Sequence, residues 1–400
     1  MPLRLSNSPD PPSALLAADR SGEWQADPGY GVYVHVPFCR HRCHYCDFNT
    51  YEGLDELHEP YVDALVREIE TAGAPSRPAT SVFVGGGTPT LLAPVALARV
   101  LDAIRASTGI SPGAEVTVEA NPETVDETTF EALLGAGFNR FSVGVQSLAP
   151  HVLERLGRTH SAETALAALA AARRAGATDL NADLIFGSPW EAPDDWRQSL
   201  EGIVAAGTTH VSAYALTVEE GTPLATLVAT GRVPDVDPDV QAERHGVATE
   251  VLGAAGFVRY EVSNWARPGH ASRHNVLYWS GGDYAGYGAG AHGHESGRRY
   301  WRKRLPRDYV DAVATGTSTE AGEERLSPGE SAREAMTLGL RLASGVDEAA
   351  FFARHPEEAD ALLATAGELR DEGLLVRQDG RLRLSDEATL VANDVLCRFL

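Results

Sequence analysis

Three of the four cysteines in this 400-residue chain fall within eight positions, Cys39-Arg40-His41-Arg42-Cys43-His44-Tyr45-Cys46. An odd number of thiols this close together cannot all be paired as disulfides within the segment. As thiolates they can converge on a metal centre. Three of them suit a cubane iron–sulfur cluster with one iron left open, since a closed cluster takes four. A zinc site is the rival, and it needs a fourth ligand such as His41 or His44. Cys397 lies far away in sequence and reads as a small buried hydrophobe.

The composition is that of a globular protein, with 43% hydrophobic and 22% charged residues. The length allows a large core and more than one domain. A net charge of −22 argues against nucleic acid as a partner, because phosphate binding needs compensating basic charge. No apolar run approaches the ~20 residues of a membrane span, which leaves only peripheral membrane contact open. The start lacks the plan of a signal peptide, so a cytoplasmic location with reduced thiols is expected.

The cysteines need elements to hold them. Residues 1–29 are rich in Pro, Ser, Asp and Ala and read as a flexible leader. Gly31 to Val36 alternates as a strand, with Tyr33 and His35 on one face and valines on the other, and Pro37 ends it. The cysteine loop therefore follows the C-terminal end of the first strand. That arrangement repeats along the chain. A helix over 60–72 leads to the strand Ser81–Val84 and then to Gly85-Gly86-Gly87-Thr88-Pro89. A helix over 93–107 leads to the strand Glu115–Glu119. Thr124 and Glu127 form a capping box for the next helix. The strand Arg140–Val145 ends at Gln146. Ser161 caps an alanine-rich helix that stops near Gly176, and the strand Leu180–Ile185 carries Asp183. His210–Leu216 and Phe257–Val262 complete the series. Strands alternating with helices imply an α/β fold with a parallel sheet. Six or seven units are too few for a closed eightfold barrel, so a partial (β/α)6-type TIM barrel over residues 30–265 is expected. Its site lies at the C-terminal rim of the strands. The cysteines, the glycine turn, Glu119, Gln146 and Asp183 collect on that rim.

Residues 266–326 read as a connecting region without regular structure. From 327 to 400 a helical, winged-helix-like C-terminal domain is expected. Ser327-Pro328-Gly329-Glu330 starts a helix. Helices over 330–343, 347–354 and 357–371 precede a hairpin about Asp379-Gly380, and a last helix runs to the end.

Cys39, Cys43 and Cys46, with Tyr45 before the last of them and the glycine turn after the second strand, resemble the radical S-adenosylmethionine superfamily. That resemblance implies a [4Fe-4S] cluster whose open iron takes the amino and carboxylate groups of S-adenosylmethionine. Reductive cleavage there yields a 5′-deoxyadenosyl radical. Over residues 30–400 the chain is most similar to two related groups, the oxygen-independent coproporphyrinogen III oxidases and the HemW-type heme chaperones. Carried over by position, Tyr33 lies near the methionine carboxylate, and Gly86, Gly87 and Thr88 lie beside the methionyl amine. Tyr45, Glu119, Gln146, Arg158 and Asp183 supply further contacts to S-adenosylmethionine. Arg158 can pair with a carboxylate, and Gln146 and Asp183 can accept from ribose hydroxyls. Trp190, in Gly187-Ser188-Pro189-Trp190-Glu191, departs from the glycine that the pattern carries after this proline.

Three features turn the resemblance toward the heme chaperones. Phe48 stands where the oxidases carry an additional cysteine. The segment before the first strand is shorter than the oxidases' N-terminal arm. His274-Asn275-Val276-Leu277-Tyr278-Trp279 matches the chaperones' His-Asn-x-x-Tyr-Trp signature. The implied function is to bind heme, with His274 as axial ligand, and to hand it to heme-acceptor proteins. His292 and His294 are alternative ligands. Arg298-Arg299-Tyr300-Trp301-Arg302-Lys303-Arg304 is the one dense basic cluster, and Arg298, Arg299 and Arg302 are expected to hold heme propionates or an acidic partner. The oxidase activity, decarboxylation of coproporphyrinogen III, is the alternative, and a radical methylase is a third reading.

Overall fold

The computed structural model describes residues 22–73, 75 and 77–400. Most of the leader expected over 1–29 lies outside the described residues. Its last part, 22–29, is anchored. Trp24 is buried against Phe351, and its backbone N–H donates to Ser344 Oγ at 3.1 Å. A bulky indole in an otherwise polar segment is the sequence signal for that anchor.

The first half of the chain alternates as expected. The strands are β1 (Tyr30–Val36), β2 (Ala79–Gly86), β3 (Ile110–Ala120), β4 (Arg140–Gln146), β5 (Asp179–Phe186) and β6 (His210–Ala215). They pair in parallel and in sequence order. Between them run α1 (His58–Thr71), α2 (Pro94–Ser107), α3 (Glu127–Ala136), α4 (Pro150–Leu156), α5 (Ala162–Arg174) and α6 (Pro193–Ala205). The helices turn apolar stripes such as Tyr61, Leu65 and Ile69 onto the sheet, and one core of these stripes and the strand valines runs through the whole layer. The N-cap of α3 corrects the expected capping box. Asp126 is the cap, accepting from Thr129 N at 2.8 Å, and Thr124 belongs to the preceding single turn. Ser161 caps α5 as expected.

After α7 (Pro223–Ala229) and α8 (Pro238–Ala254), β7 (Val258–Glu261) and β8 (Asn264–Ala266) add antiparallel strands beyond β6. The region read as irregular is in fact ordered. It holds α9 (Arg273–Trp279), β9 (Asp283–Tyr287), β10 (His292–Glu295), β11 (Arg298–Arg302), α10 (Pro306–Thr315) and β12 (Glu320–Arg325). β9 pairs in parallel with β1 and becomes a seventh parallel strand, and β10 to β12 extend that edge antiparallel. The twelve strands run β12-β11-β10-β9-β1-β2-β3-β4-β5-β6-β8-β7, with β12 and β7 unpaired to each other, so the barrel stays open. Glycine-rich composition hid β9 locally, because its hydrogen bonds go to a strand some 250 residues earlier.

The C-terminal part is helical with a small wing. Ser327 and Glu330 form the capping box of α11 (Pro328–Gly339). α12 (Glu348–Arg354) and α13 (Ala359–Asp371) follow. The hairpin of β14 (Leu375–Gln378) and β15 (Arg381–Leu384) turns on Asp379 and Gly380, with φ of 52° and 76°, and β13 (Val346–Asp347) adds a third strand. In place of one last helix, the chain ends in short turns around α14 (Ala392–Leu396). A second core, of Met336, Phe351 and Leu369 with Trp24 and Val276, ties this part to α9.

Candidate functional site

The cysteine loop is pinned to the barrel rim from both sides. Cys39 N–H donates to Tyr51 O at 3.0 Å, while Gly87 and Thr88 N–H donate to Val36 O and Phe38 O at 2.8 and 2.7 Å. Gly87 has to be glycine here, because a Cβ would lie 2.5 Å from Phe38 O. Gly86 holds φ of 113°, which opens its N–H to Glu119 Oε2 at 2.9 Å.

Cys39, Cys43 and Cys46 line one cavity of about 320 Å3, and none is in a disulfide. The sulfurs of Cys39 and Cys43 are linked through polar side chains. Thr88 Oγ1 lies 3.8 Å from Cys39 Sγ, and Asn121 Nδ2 donates to Thr88 Oγ1 at 2.9 Å. Arg158 Nη2 donates to Asn121 Oδ1 at 2.8 Å, and Nη1 to Cys43 Sγ at 3.3 Å. Donors aimed at sulfur fit thiolate ligands of a cluster, whose hydrogen bonds tune it. Burial pushes the Cys39 thiol up to about 11, with the neighbouring cysteines adding to it and Thr88 opposing. A bound cation overrides such a preference for the neutral thiol. Of the two histidines of the loop, His41 lines the same cavity and His44 does not. His41 leans on Glu52 at 3.5 Å, and His44 Nδ1 lies 3.1 Å from Arg155 O. The donor set fits a three-thiolate cluster, and of the two histidines only His41 stands on the cavity where it could complete a zinc site.

The same cavity gathers Tyr45, Gly86, Gly87, Thr88, Glu119, Gln146, Arg158 and Asp183. Gln146 holds φ of 64° as a non-glycine residue, a strained conformation at the end of β4. Burial raises Glu119 to about 7, the charge of Asp183 adds to this, and the Gly86 N–H opposes it. Burial also raises Asp183, against hydrogen bonds from Ser142, Ser212 and Asn181. Two carboxylates facing one small cavity make it a site for positive charge. Arg158 has one guanidinium nitrogen on Cys43 and the other on Asn121 and Gly144 O, so it braces the loop. Asn121, Ser142 and Tyr214 line this cavity as well and were not picked out from the sequence. Asn121 carried a signal, standing at the rim just after Glu119. Trp190 packs on the small apolar cluster of Val152, Leu156 and Ile185 below the rim, together with Tyr45.

Tyr33 lies elsewhere. Its hydroxyl meets His35 Nδ1 at 2.8 Å, and its ring faces a second cavity of about 740 Å3. Phe48, Gly86 and Glu119 line both cavities. Phe48 is 63% exposed. Tyr278, Tyr284 and Trp301 form further walls of the larger one.

His274 is buried beneath that wall at 1% exposure. Its Nδ1 lies 2.9 Å from Ser81 Oγ and its Nε2 2.9 Å from Tyr278 Oη, and its ring stacks on Phe83. Burial lowers it to about 3. Glu115 accepts from the N–H groups of Arg273 and His274, seating the start of α9. The His-Asn-x-x-Tyr-Trp signature thus docks α9 under the sheet and aims Tyr278 at the cavity. Of the alternative ligands, His294 faces Asp283 at 3.5 Å and His292 is exposed on the larger cavity. The basic cluster is mostly neutralised. Arg298 pairs with Glu320 and Glu323, Arg299 with Glu324 and Glu334, and Arg302 with Glu68 and Glu320. The expectation that these three hold heme propionates or an acidic partner meets carboxylates of the chain itself, from β12 and from Glu68 and Glu334, already paired with them.

Residues 33–203 match the family model of the Radical SAM superfamily, and residues 326–391 match that of the HemN C-terminal domain. The heme chaperone HemW of Mycobacterium tuberculosis (strain ATCC 25618 / H37Rv) is 43% identical over 372 residues, covering 92% of this chain and 94% of that protein. The heme chaperone HemW of Bacillus subtilis is 33% identical, covering 92% and 98%. The solved coproporphyrinogen III oxidase (HemN) from Escherichia coli, a radical SAM enzyme, shares the fold with a TM-score of 0.79 at 21% identity, over 95% of this chain and 92% of that one. Among the described residues no helix is long and apolar enough to cross a membrane. Similarity of this degree along nearly the whole chain, on a barrel rim with three free cysteines, places the protein in the HemW heme chaperone family of the radical S-adenosylmethionine superfamily.

Proposed function

We propose that this chain is a cytoplasmic heme chaperone that binds heme beside a [4Fe-4S] cluster and S-adenosylmethionine and passes the heme to acceptor proteins. The observation that carries this reading is the pair of adjoining cavities. One is lined by three cysteines and two carboxylates, and the other is larger and walled by aromatic rings. Flat apolar ligands pack well on aromatic walls. Cys39, Cys43 and Cys46 hold the cluster. When bound, the reduced cluster supplies one electron for cleavage of the S-adenosylmethionine sulfonium. Glu119 and Asp183 offset the positive charge of that cofactor. Gly86, Gly87 and Thr88 let its methionyl end approach backbone, and Gln146 and Tyr45 frame the remainder. Arg158 holds Cys43 in place, and Tyr33 lines the larger cavity. His274 shapes the heme cavity through Tyr278.

The runner-up reading, an oxygen-independent coproporphyrinogen III oxidase, needs the same cluster, so the cluster does not discriminate. Phe48 favours the chaperone, since an apolar ring stands where the oxidases carry a cysteine. Anaerobic incubation of the reduced, cluster-loaded protein with coproporphyrinogen III and S-adenosylmethionine should leave the porphyrinogen intact. Decarboxylation would overturn the chaperone reading. Hemin added to the same protein should bind and then pass to an apo-heme protein on mixing.

A further inference from the structure

We propose that the cavity between β7, the residues after β8 and the turn of the C-terminal hairpin binds a small amphipathic oxyanion, a carboxylate or phosphate carried on an apolar body. The site is independent of the heme-chaperone reading, because it shares no lining residue with the cysteine-lined cavity or with the aromatic one. It holds about 470 Å3, within the range of about 300–1,000 Å3 typical of ligand pockets. Three separate stretches close it around β7. Gly22 presses on Tyr260, where an added Cβ would lie 2.7 Å from the Tyr260 Cβ. Ala343 N–H donates to Tyr260 O at 2.9 Å and brings the segment after α11 alongside β7. The hairpin turn enters at Gln378, Asp379 and Arg381. Val258, Tyr260, Ala266 and Ala271 line the cavity with apolar surface.

The charge on this cavity runs against that of the whole chain. Arg259, Arg267, Arg381 and Arg383 line it, against two carboxylates, Glu23 and Asp379, in a protein of net charge −22. Glu23 is paired with Arg381 Nη2 at 2.9 Å, while Nη1 of the same guanidinium is buried without a hydrogen-bond partner among the described residues. Arg259 has no carboxylate at ion-pair distance among the described residues, and its guanidinium donates to Thr389 Oγ1 at 3.3 Å. Burial holds that guanidinium below its ordinary range; Asp386 and Glu261 oppose this, and Arg383 adds to it. Arg267 stacks on Phe257 and donates to the backbone oxygens of Ala255 and Thr208, again without a carboxylate. Arg383 reaches Asp386, which does not line the cavity. A guanidinium stays charged at physiological pH, and one taken out of water without a counter-charge costs stability. An oxyanion supplies that counter-charge with a geometry guanidinium groups match, and the apolar walls take its body.

The test titrates the full-length, cluster-loaded protein with decanoate and with decyl phosphate, both kept monomeric, by isothermal calorimetry. Decanol, which lacks the charge, and inorganic phosphate, which lacks the apolar body, are the controls. Both anions should bind, and both controls should bind about tenfold more weakly or worse, the scale of one charged contact. Tighter decyl phosphate assigns the site to phosphate monoesters, and tighter decanoate to fatty carboxylates; either supports the site. In the wild type, bound decanoate or decyl phosphate should slow amide hydrogen exchange at residues 258–260 and 378–381. Arg259→Gln should weaken binding about tenfold with iron content and far-ultraviolet dichroism unchanged, and Arg259→Lys should recover part of the loss. No binding of either anion, decanol binding as tightly as decanoate, protection confined to other parts of the chain, or wild-type affinity in Arg259→Gln would each overturn the proposal.

Discussion

Glu119 offers a quantitative handle on the cysteine-lined cavity. Its carboxyl sits partly buried at the end of β3, accepts one N–H from Gly86, and shares the cavity with Asp183. Burial and that neighbouring charge raise it from 4.5 to about 7. A displacement of this size corresponds to at most about 3 kcal/mol between its protonated and ionised forms, because water in the cavity screens part of it. The sign follows directly. Below about 4.5 the carboxyl is neutral in both folded and unfolded chains. As pH rises through 7, the unfolded chain has already ionised and the folded one must follow, so the contribution to stability is lost. Glu119→Gln removes the titration and keeps an acceptor for Gly86. Cluster-loaded variant and wild type should therefore differ little near pH 5, and the variant should melt several degrees higher at pH 8. A positively charged ligand reverses the preference by favouring the carboxylate. S-adenosylmethionine affinity in the wild type should rise up to tenfold per pH unit toward pH 7 and then level off, with proton uptake by the buffer. In Glu119→Gln it should be about 10-fold to 100-fold weaker at pH 8, the scale of one lost charged contact, and flat between pH 6 and 8. Isothermal titration in buffers of different ionisation enthalpy measures both affinity and proton release. Wild-type binding that is pH-independent, with no proton released, would refute the reasoning.

Gly87→Ala should displace the cysteine loop, because the added methyl meets backbone oxygen of Phe38; iron per chain should fall while far-ultraviolet dichroism is kept. Asn121→Ala cuts the hydrogen-bonded path between Thr88 and Arg158, at a cost of about 1–3 kcal/mol. Its cluster should be lost to a chelator faster than that of the wild type, and equal rates would show that the path is not needed. Glu68→Gln leaves Arg302 buried with Glu320 alone and weakens the bonds from Tyr309 and Thr319. It should lower unfolding stability by about 3 kcal/mol in denaturant.

The sequence determined the scaffold and which three cysteines share one cavity. Strict alternation in β1, the buried-type runs of β2 to β5 and the capped helices between them are local signals, readable because a strand or helix face is written in the period of its own residues. The cysteines needed only spacing. Rim residues such as Glu119, Gln146 and Asp183 followed from one topological rule, that parallel β/α units present their sites at the strand C-terminal ends. What only tertiary structure decided is who faces whom. β9 was illegible because its partner is β1, at the far end of the chain. The charge of Arg298, Arg299 and Arg302 depended on β12 lying beside β11 and bringing its glutamates across. His274 and His292 show the same division most sharply. One stands in a recognisable motif and the other in an unremarkable strand, yet the folded chain closes Ser81 and Tyr278 over the first and, among the described residues, sets no hydrogen-bond partner on the nitrogens of the second. Hydrogen-bond partners 193 residues apart leave no local periodicity, so the availability of a lone pair is a property of the fold.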